Sequence, residues 1–256
     1  MTALDTRELE TRVKDLYLHV AKEPRGPFHF ATGRTLAERL GYPASLLDRV
    51  PAQALESFAG VGYVLDLADP RPGERVLDLG SGSGTDALCA ALLVAPEGAV
   101  TGVDFTPAQL DKARRLADGF PVEFLEGRIE EPPVADHSVD CVISNGVINL
   151  SPWKDRVFAE VARVLRPGGR LAVADIVSER ALKESITSAA ELWASCIGGA
   201  AQEDDYTEMI AAAGLSVRAV RPNPYAFLSE RAVSACDRYG VKSVSVLAVA
   251  PSQGGQ

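Results

Sequence analysis

The 256-residue sequence predicts an α/β protein built on a mostly parallel β-sheet covered on both faces, with its last strand antiparallel. Three observations carry this expectation. Short apolar strands alternate with helical stretches from Arg71 onward. A glycine-rich turn joins the first of those strands to a helix. The last two apolar stretches are separated by a segment that reads as a loop rather than a crossover helix, which makes them an antiparallel edge hairpin.

Residues 1 to about 70 read as helical and irregular, interrupted by Pro24-Arg25-Gly26-Pro27. Thr35 to Leu40 is a short helix with Gly41 as its stop, and Pro43 to Val50 a second one. This region is expected to form a lid or cap, with residues 71–256 as the core. Within the core, strands fall at Arg75–Leu79, Ala99–Asp104, Val122–Glu126, Val139–Ser144, Arg170–Ile176, Ser216–Arg221 and Lys242–Val249. Helices fall at Asp86–Val94, Pro107–Asp118, Trp153–Leu165 and 203–213, with a helical insert at about 179–200. Pro107 sits in a first helical turn, where its missing N–H costs nothing.

Composition narrows the function. Hydrophobic residues make up 46% of the chain, enough for a substantial core. A net charge of −9 repels phosphate backbones, so nucleic acid is a poor partner. The charged N-terminus lacks a signal core, and no apolar run approaches the roughly 20 residues of a membrane helix. A soluble, cytoplasmic protein is expected. The four cysteines, Cys89, Cys141, Cys196 and Cys236, form no C-x-x-C pair, so no metal site is expected. Cys89 and Cys141 read as core residues. Nothing in the sequence speaks to oligomeric state.

The chemistry concentrates in Val76-Leu77-Asp78-Leu79-Gly80-Ser81-Gly82-Ser83-Gly84, a strand running into a glycine turn. Taken alone, such a turn is either a ligand loop or only a tight connection. Asp78 lies two residues before the first glycine, where it would repel a pyrophosphate and suits a cationic ligand. Asp104 ends the second strand, placed to accept ribose hydroxyls. That acid is shared with NAD-binding folds and does not choose between them, but Asp78 and the G-x-G-x-G spacing speak against an NAD-dependent oxidoreductase.

The stretches VLDLGSGSGTD, GVDFTPAQLDKAR, GRIEEPPVADHSVDCVISN, VINLSP, RVLRPGGRLAVADIV and ELWASCIGGA resemble class I methyltransferases that use S-adenosyl-L-methionine (SAM), and more closely the arsenite methyltransferase group. The resemblance implies a Rossmann-like, seven-stranded sheet with an antiparallel last strand. It implies SAM as cofactor and in-line methyl transfer to a small-molecule acceptor through a sulfur, oxygen, nitrogen or carbon nucleophile. Its cofactor roles fall on Gly80, Ser81 and Gly82 for the methionine part, with Asp78 and Asp86 nearby. Asp104 would hold the ribose, Phe105 and Thr106 would flank the adenine, Ile129 and Glu130 would read its amino group, and Asn145 would face the amino-acid end.

The acceptor side departs from that group. A family cysteine position is occupied by Gly146, the N-terminal region holds no cysteine, and Cys236 is displaced from its family position; Cys196 alone matches. A trigonal thiolate site for arsenite therefore cannot be assembled. Tyr17, Phe28, Asn149, Trp193 and Cys196 are expected to wall the acceptor pocket, with His29 as a candidate general base and Cys196 as a candidate catalytic group. A metalloid methyltransferase and a SAM-binding module without chemistry stay as alternative readings.

Overall fold

The computed structural model describes residues 4–194 and 196–252. The N-terminal region holds five helices: α1 (Thr6–Lys22), α2 (Arg34–Leu40), α3 (Ala44–Leu47), α4 (Ala52–Glu56) and α5 (Val64–Ala68). Then β1 (Arg75–Leu79), α6 (Thr85–Val94), β2 (Ala99–Asp104), α7 (Pro107–Leu116), β3 (Val122–Glu126) and β4 (Val139–Asn145) alternate. A single 3₁₀ turn, Ile148–Leu150, leads to α8 (Lys154–Val164) and the long β5 (Leu165–Ser178). The chain continues through α9 (Glu184–Thr187), α10 (Ala190–Ala194), β6 (Ala201–Gln202), α11 (Glu203–Ala212) and β7 (Ser216–Pro222), and closes with α12 (Glu230–Tyr239) and β8 (Lys242–Val249).

The strands run β3-β2-β1-β4-β5-β8-β7, and the two-residue β6 pairs with the end of β5 off this path. Pairing is parallel from β3 through β5, and β8 is antiparallel to both of its neighbours. The expected sheet with an antiparallel last strand is present. The last two strands pair as the antiparallel edge hairpin expected there; what differs is their connection. The last strand inserts between β5 and β7, so β7 is the edge, and α12 replaces the expected loop. The helix has clear local causes: Ser229 caps it by accepting the Ala232 N–H at 3.2 Å, and Gly240 ends it in the left-handed region. The insert at 179–200 resolves into α9 and α10, two helices of four and five residues.

One apolar cluster joins α2–α6 and the adjoining sheet face, through residues such as Leu47, Leu65, Leu88 and Ile143. A second joins α8 and α11 to the other face through Phe158, Tyr206 and Leu171. A smaller third cluster holds α1 (Leu9, Val13) against Leu150, Ala190 and Trp193. Cys89 and Cys141 are fully buried core residues, as their apolar surroundings predicted. Among the described residues no helix is long and apolar enough to cross a membrane.

Candidate active site

The glycine turn after β1 opens at the carboxyl end of the sheet, where α/β folds bind ligands. The N–H groups of Gly80 and Ser81 both donate to the Val103 carbonyl, at 2.8 and 3.0 Å, which ties the turn to β2. Gly80 has φ +75°, and a Cβ there would run into Val147, so neither its backbone nor its space admits a side chain. The turn therefore presents bare backbone to the space above it.

Three buried carboxylates face that space. Asp104 accepts the Gly82 N–H at 2.9 Å and the Thr106 N–H at 2.8 Å. Asp86, on the first turn of α6, accepts from the Tyr42 hydroxyl and, at 3.0 Å, from the Asn145 amide. Asn145 is fixed in turn, since its Oδ1 accepts the Val61 N–H at 2.7 Å. Asp78 is 2% exposed, and its Oδ2 has no partner; the Ser81 hydroxyl is likewise buried and unpaired. Burial pushes the Asp78 carboxyl well above its usual range, and the neighbouring Asp86 and Asp104 add to this. Burial lifts Asp86 to about 6 against the two hydrogen bonds it accepts. Burial also raises Asp104. Carboxylates that are buried, mutually repelling and partly unpaired are a site prepared for a cation with hydrogen-bond donors.

Two adjoining cavities lie here. The inner one is bounded by Asp78, Ser81, Asp86, Asn145 and, from α1, Tyr17. The outer one is bounded by Ile129, Glu130, Arg128, Trp153 and, from α1, Leu9 and Glu10. Both share Gly80, Asp104, Phe105, Val13, Val147 and Leu150, so they are two halves of one cleft that α1 crosses. Glu130 is held by the Ser151 hydroxyl and lies 3.5 Å from Arg128.

The residues expected at the cofactor all meet at this cleft: Asp78, Gly80, Ser81, Gly82, Asp86, Asp104, Phe105, Thr106 and Asn145 at the inner half, with Ile129 and Glu130 at the outer. Of the residues expected at the acceptor, Tyr17 lines the inner half. Phe28 and His29 line neither half; Phe28 stacks on Phe30, and His29 meets Phe30 edge-on at 4.6 Å. The His29 Nε2 is buried without a partner, and burial lowers its basicity. Asn149, Trp193 and Cys196 lie behind the cleft wall. Asn149 donates to the Cys196 carbonyl at 3.2 Å, and Trp193 packs with Leu9, Val13 and Leu150.

Sequence reasoning missed Tyr42, Gln109 and Val147. Val147 lies inside the VINLSP stretch and was within reach. Gln109, one turn into α7, binds the Ser83 hydroxyl and donates to the Tyr17 carbonyl at 2.9 Å. Tyr42 carries no sequence signal, since 44 residues separate it from Asp86.

Residues 70–214 match the family model described as a methyltransferase domain. An arsenite methyltransferase of Halobacterium salinarum is 43% identical over 189 residues, covering 73% of this chain and 48% of that protein. An arsenite methyltransferase of Aquipseudomonas alcaligenes is 40% identical over 175 residues, covering 64% of this chain and 50% of that protein. The chain thus spans about half the length of these curated relatives. The crystal structure of an arsenic(III) S-adenosylmethionine methyltransferase from Chlamydomonas reinhardtii superposes with a TM-score of 0.67 at 31% identity, over 88% of this chain and 76% of that one.

Proposed function

Because this chain belongs to the methyltransferase domain family, we propose that it transfers the methyl group of SAM to a small-molecule acceptor held beneath α1. One observation carries the reading: the unpaired Asp78 oxygen and Ser81 hydroxyl, buried beside Asp86 and Asp104 in a cleft floored by bare glycine backbone. These residues fit SAM, whose ammonium suits the Asp78–Asp86 pair and whose ribose hydroxyls suit Asp104. When bound, SAM supplies an electrophilic methyl on a sulfonium. The chain's own part is to orient the cofactor through Asp78, Asp86, Asn145 and Asp104, and to keep water out through Val13, Leu150 and Tyr17.

The acceptor proposed is not arsenite. A thiolate, not a thiol, binds a soft metalloid, and burial pushes the Cys141 and Cys196 thiols up to about 12 and raises those of Cys89 and Cys236. Gly146 has φ +74°, and a Cβ there would press on Val61 at 3.3 Å, so this backbone is shaped for glycine where the resembling group has cysteine. A cytoplasmic location belongs to the same reading, since free thiols persist in a reducing compartment.

The test is incubation with methyl-labelled SAM and fractionated cell metabolites, with arsenite plus glutathione as a separate arm. A labelled small molecule identified by mass, with arsenite turned over far below the ~1 s⁻¹ of ordinary enzymes, is the expected result. Efficient arsenite methylation would overturn the acceptor assignment, and SAM binding without any labelled product would favour the binding-module alternative.

A further inference from the structure

Behind the cleft wall lies a buried cation that the cofactor reading does not use. Lys154, the first residue of α8, is 7% exposed. Its ammonium turns back to donate to the carbonyls of Ser151 at 2.8 Å and Asn149 at 3.1 Å, and lies 4.6 Å from the centre of the Trp193 ring on α10. The fully buried Asp175 of β5 grips the same turn from the other side. It accepts the Asn149 N–H and the Tyr206 hydroxyl, each at 2.8 Å. Gly199 packs so tightly against this turn that a Cβ there would collide with the Asn149 carbonyl.

The turn held in this way carries Val147, Leu150 and Ser151 into the cleft, and Ser151 in turn holds Glu130. On its far side, Trp193 packs with Leu9 and Val13 of α1, the helix that crosses the cleft. A buried ammonium costs stability that a hydrocarbon of the same length would not. What it adds is direction, because its N–H bonds reach fixed acceptors. Those acceptors belong to the cofactor wall, and the ring above it packs on α1, the helix that crosses the cleft.

We propose that Lys154 is a positioning residue that couples the cleft wall at Leu150 and Ser151 to Trp193, so that α10 and α1 register occupation of the cofactor cavity. The coupling rests on the reading of the cleft as the SAM site. It implies that α10 and α1 take up their bound arrangement only once the cofactor is present. Asp175, backed by Tyr206 of α11, and Glu130 from the loop after β3 are the charged groups facing Lys154, and both favour its charged form.

The chain has two tryptophans, Trp153 at the cleft mouth and Trp193 behind it. Full-length protein labelled with 5-fluorotryptophan gives one fluorine resonance for each, assigned with the Trp153→Phe variant. SAM should shift both resonances in the unsubstituted protein. In Lys154→Met it should still shift Trp153, which shows that the variant is folded and binds, while the Trp193 shift is lost. An undiminished Trp193 shift in Lys154→Met, or a silent Trp193 in the unsubstituted protein whose Trp153 responds, overturns the proposal. If neither resonance responds to SAM, the cofactor reading fails and the coupling with it. Should Lys154→Met not fold, the unsubstituted protein decides. Burial brings Lys154 down to about 8, so raising the pH from about 7 to about 9.5 discharges it. The SAM-induced Trp193 shift should then fade while that of Trp153 persists; a Trp193 shift unchanged across this range overturns the coupling.

Discussion

Asp86 is buried with only two donors to satisfy it, and its carboxyl titrates near 6. An acid raised above its unfolded value gives a fold that is most stable below that value and loses stability as pH rises through the folded one. For Asp86 the window runs from about 4 to about 6, and the cost at neutral pH is on the order of 3 kcal/mol. A bound ammonium relieves it. SAM binding near pH 5.5 should therefore release protons, seen by calorimetry in buffers of different ionisation enthalpy, and affinity should rise from pH 5 to pH 7. Asp78 is raised beside it, so the release belongs to the pair: Asp86→Asn should change its size and pH dependence, and a release identical to that of the unsubstituted protein would remove Asp86 from the site. Asp104 is the second residue on which the reading depends. Charge-assisted hydrogen bonds contribute roughly 1.5–3 kcal/mol each, so Asp104→Ala should weaken SAM at least about tenfold. Unchanged affinity would disprove the ribose assignment. Both acids were legible in the sequence because each sits at a strand–turn–helix junction. Tyr42, which completes the Asp86 pair, was not, because only the folded chain brings it there.

Helix α1 crosses the cleft, lining both of its halves. It is amphipathic, capped by Asp5 and held by Arg128 to Glu10 at 2.7 Å, by Gln109 to the Tyr17 carbonyl at 2.9 Å and by Lys112 to the Ala21 carbonyl at 3.3 Å. The Arg128–Glu10 pair is part-exposed and contributes at most about 1 kcal/mol. Leu9 and Val13 bury apolar surface mainly in the small third cluster, whereas α2–α5 share the main core. The moving part of the N-terminal region is thus proposed to be α1 and the loop after it, not the whole of residues 1–70. Hydrogen exchange across residues 10–33 should slow on SAM binding, while α2–α5 stay unchanged. Equal exchange with and without SAM would leave α1 as a fixed wall. The sequence showed a helical N-terminal region broken at Pro24–Pro27 and expected to cap the site, but not that its first helix is the part that crosses the cleft. It also hid α12, whose uncharged run Ala232–Cys236 lies between charged ends and whose evidence lies in its caps, Ser229 and Gly240.

At the scale of the molecule, the sheet was legible because a parallel sheet buried on both faces writes itself as apolar runs, and β1, β2 and β3 were bounded correctly. The placement of β8 between β5 and β7 was not, because strand order depends on contacts far apart in sequence. That order brings the ends of β1, β2 and β4 to one cleft, with α1 closing it from the N-terminal side. A ligand filling the cleft touches the N-terminal region and the sheet together, so its binding energy should appear in global stability. At a hundredfold excess over Kd, binding adds about 2.7 kcal/mol. For a chain of this size that corresponds to a Tm higher by about 5–10 °C. SAM and its demethylated product should both give this shift in a thermal melt. NAD should give none, because its pyrophosphate would lie against the buried Asp78 and Asp86 carboxylates, where like charges repel and no basic side chain compensates among the residues lining the inner cavity. A shift with NAD as large as that with SAM would mean that the carboxylate pair does not set the charge of the ligand, and the electrostatic argument for the cofactor would fall.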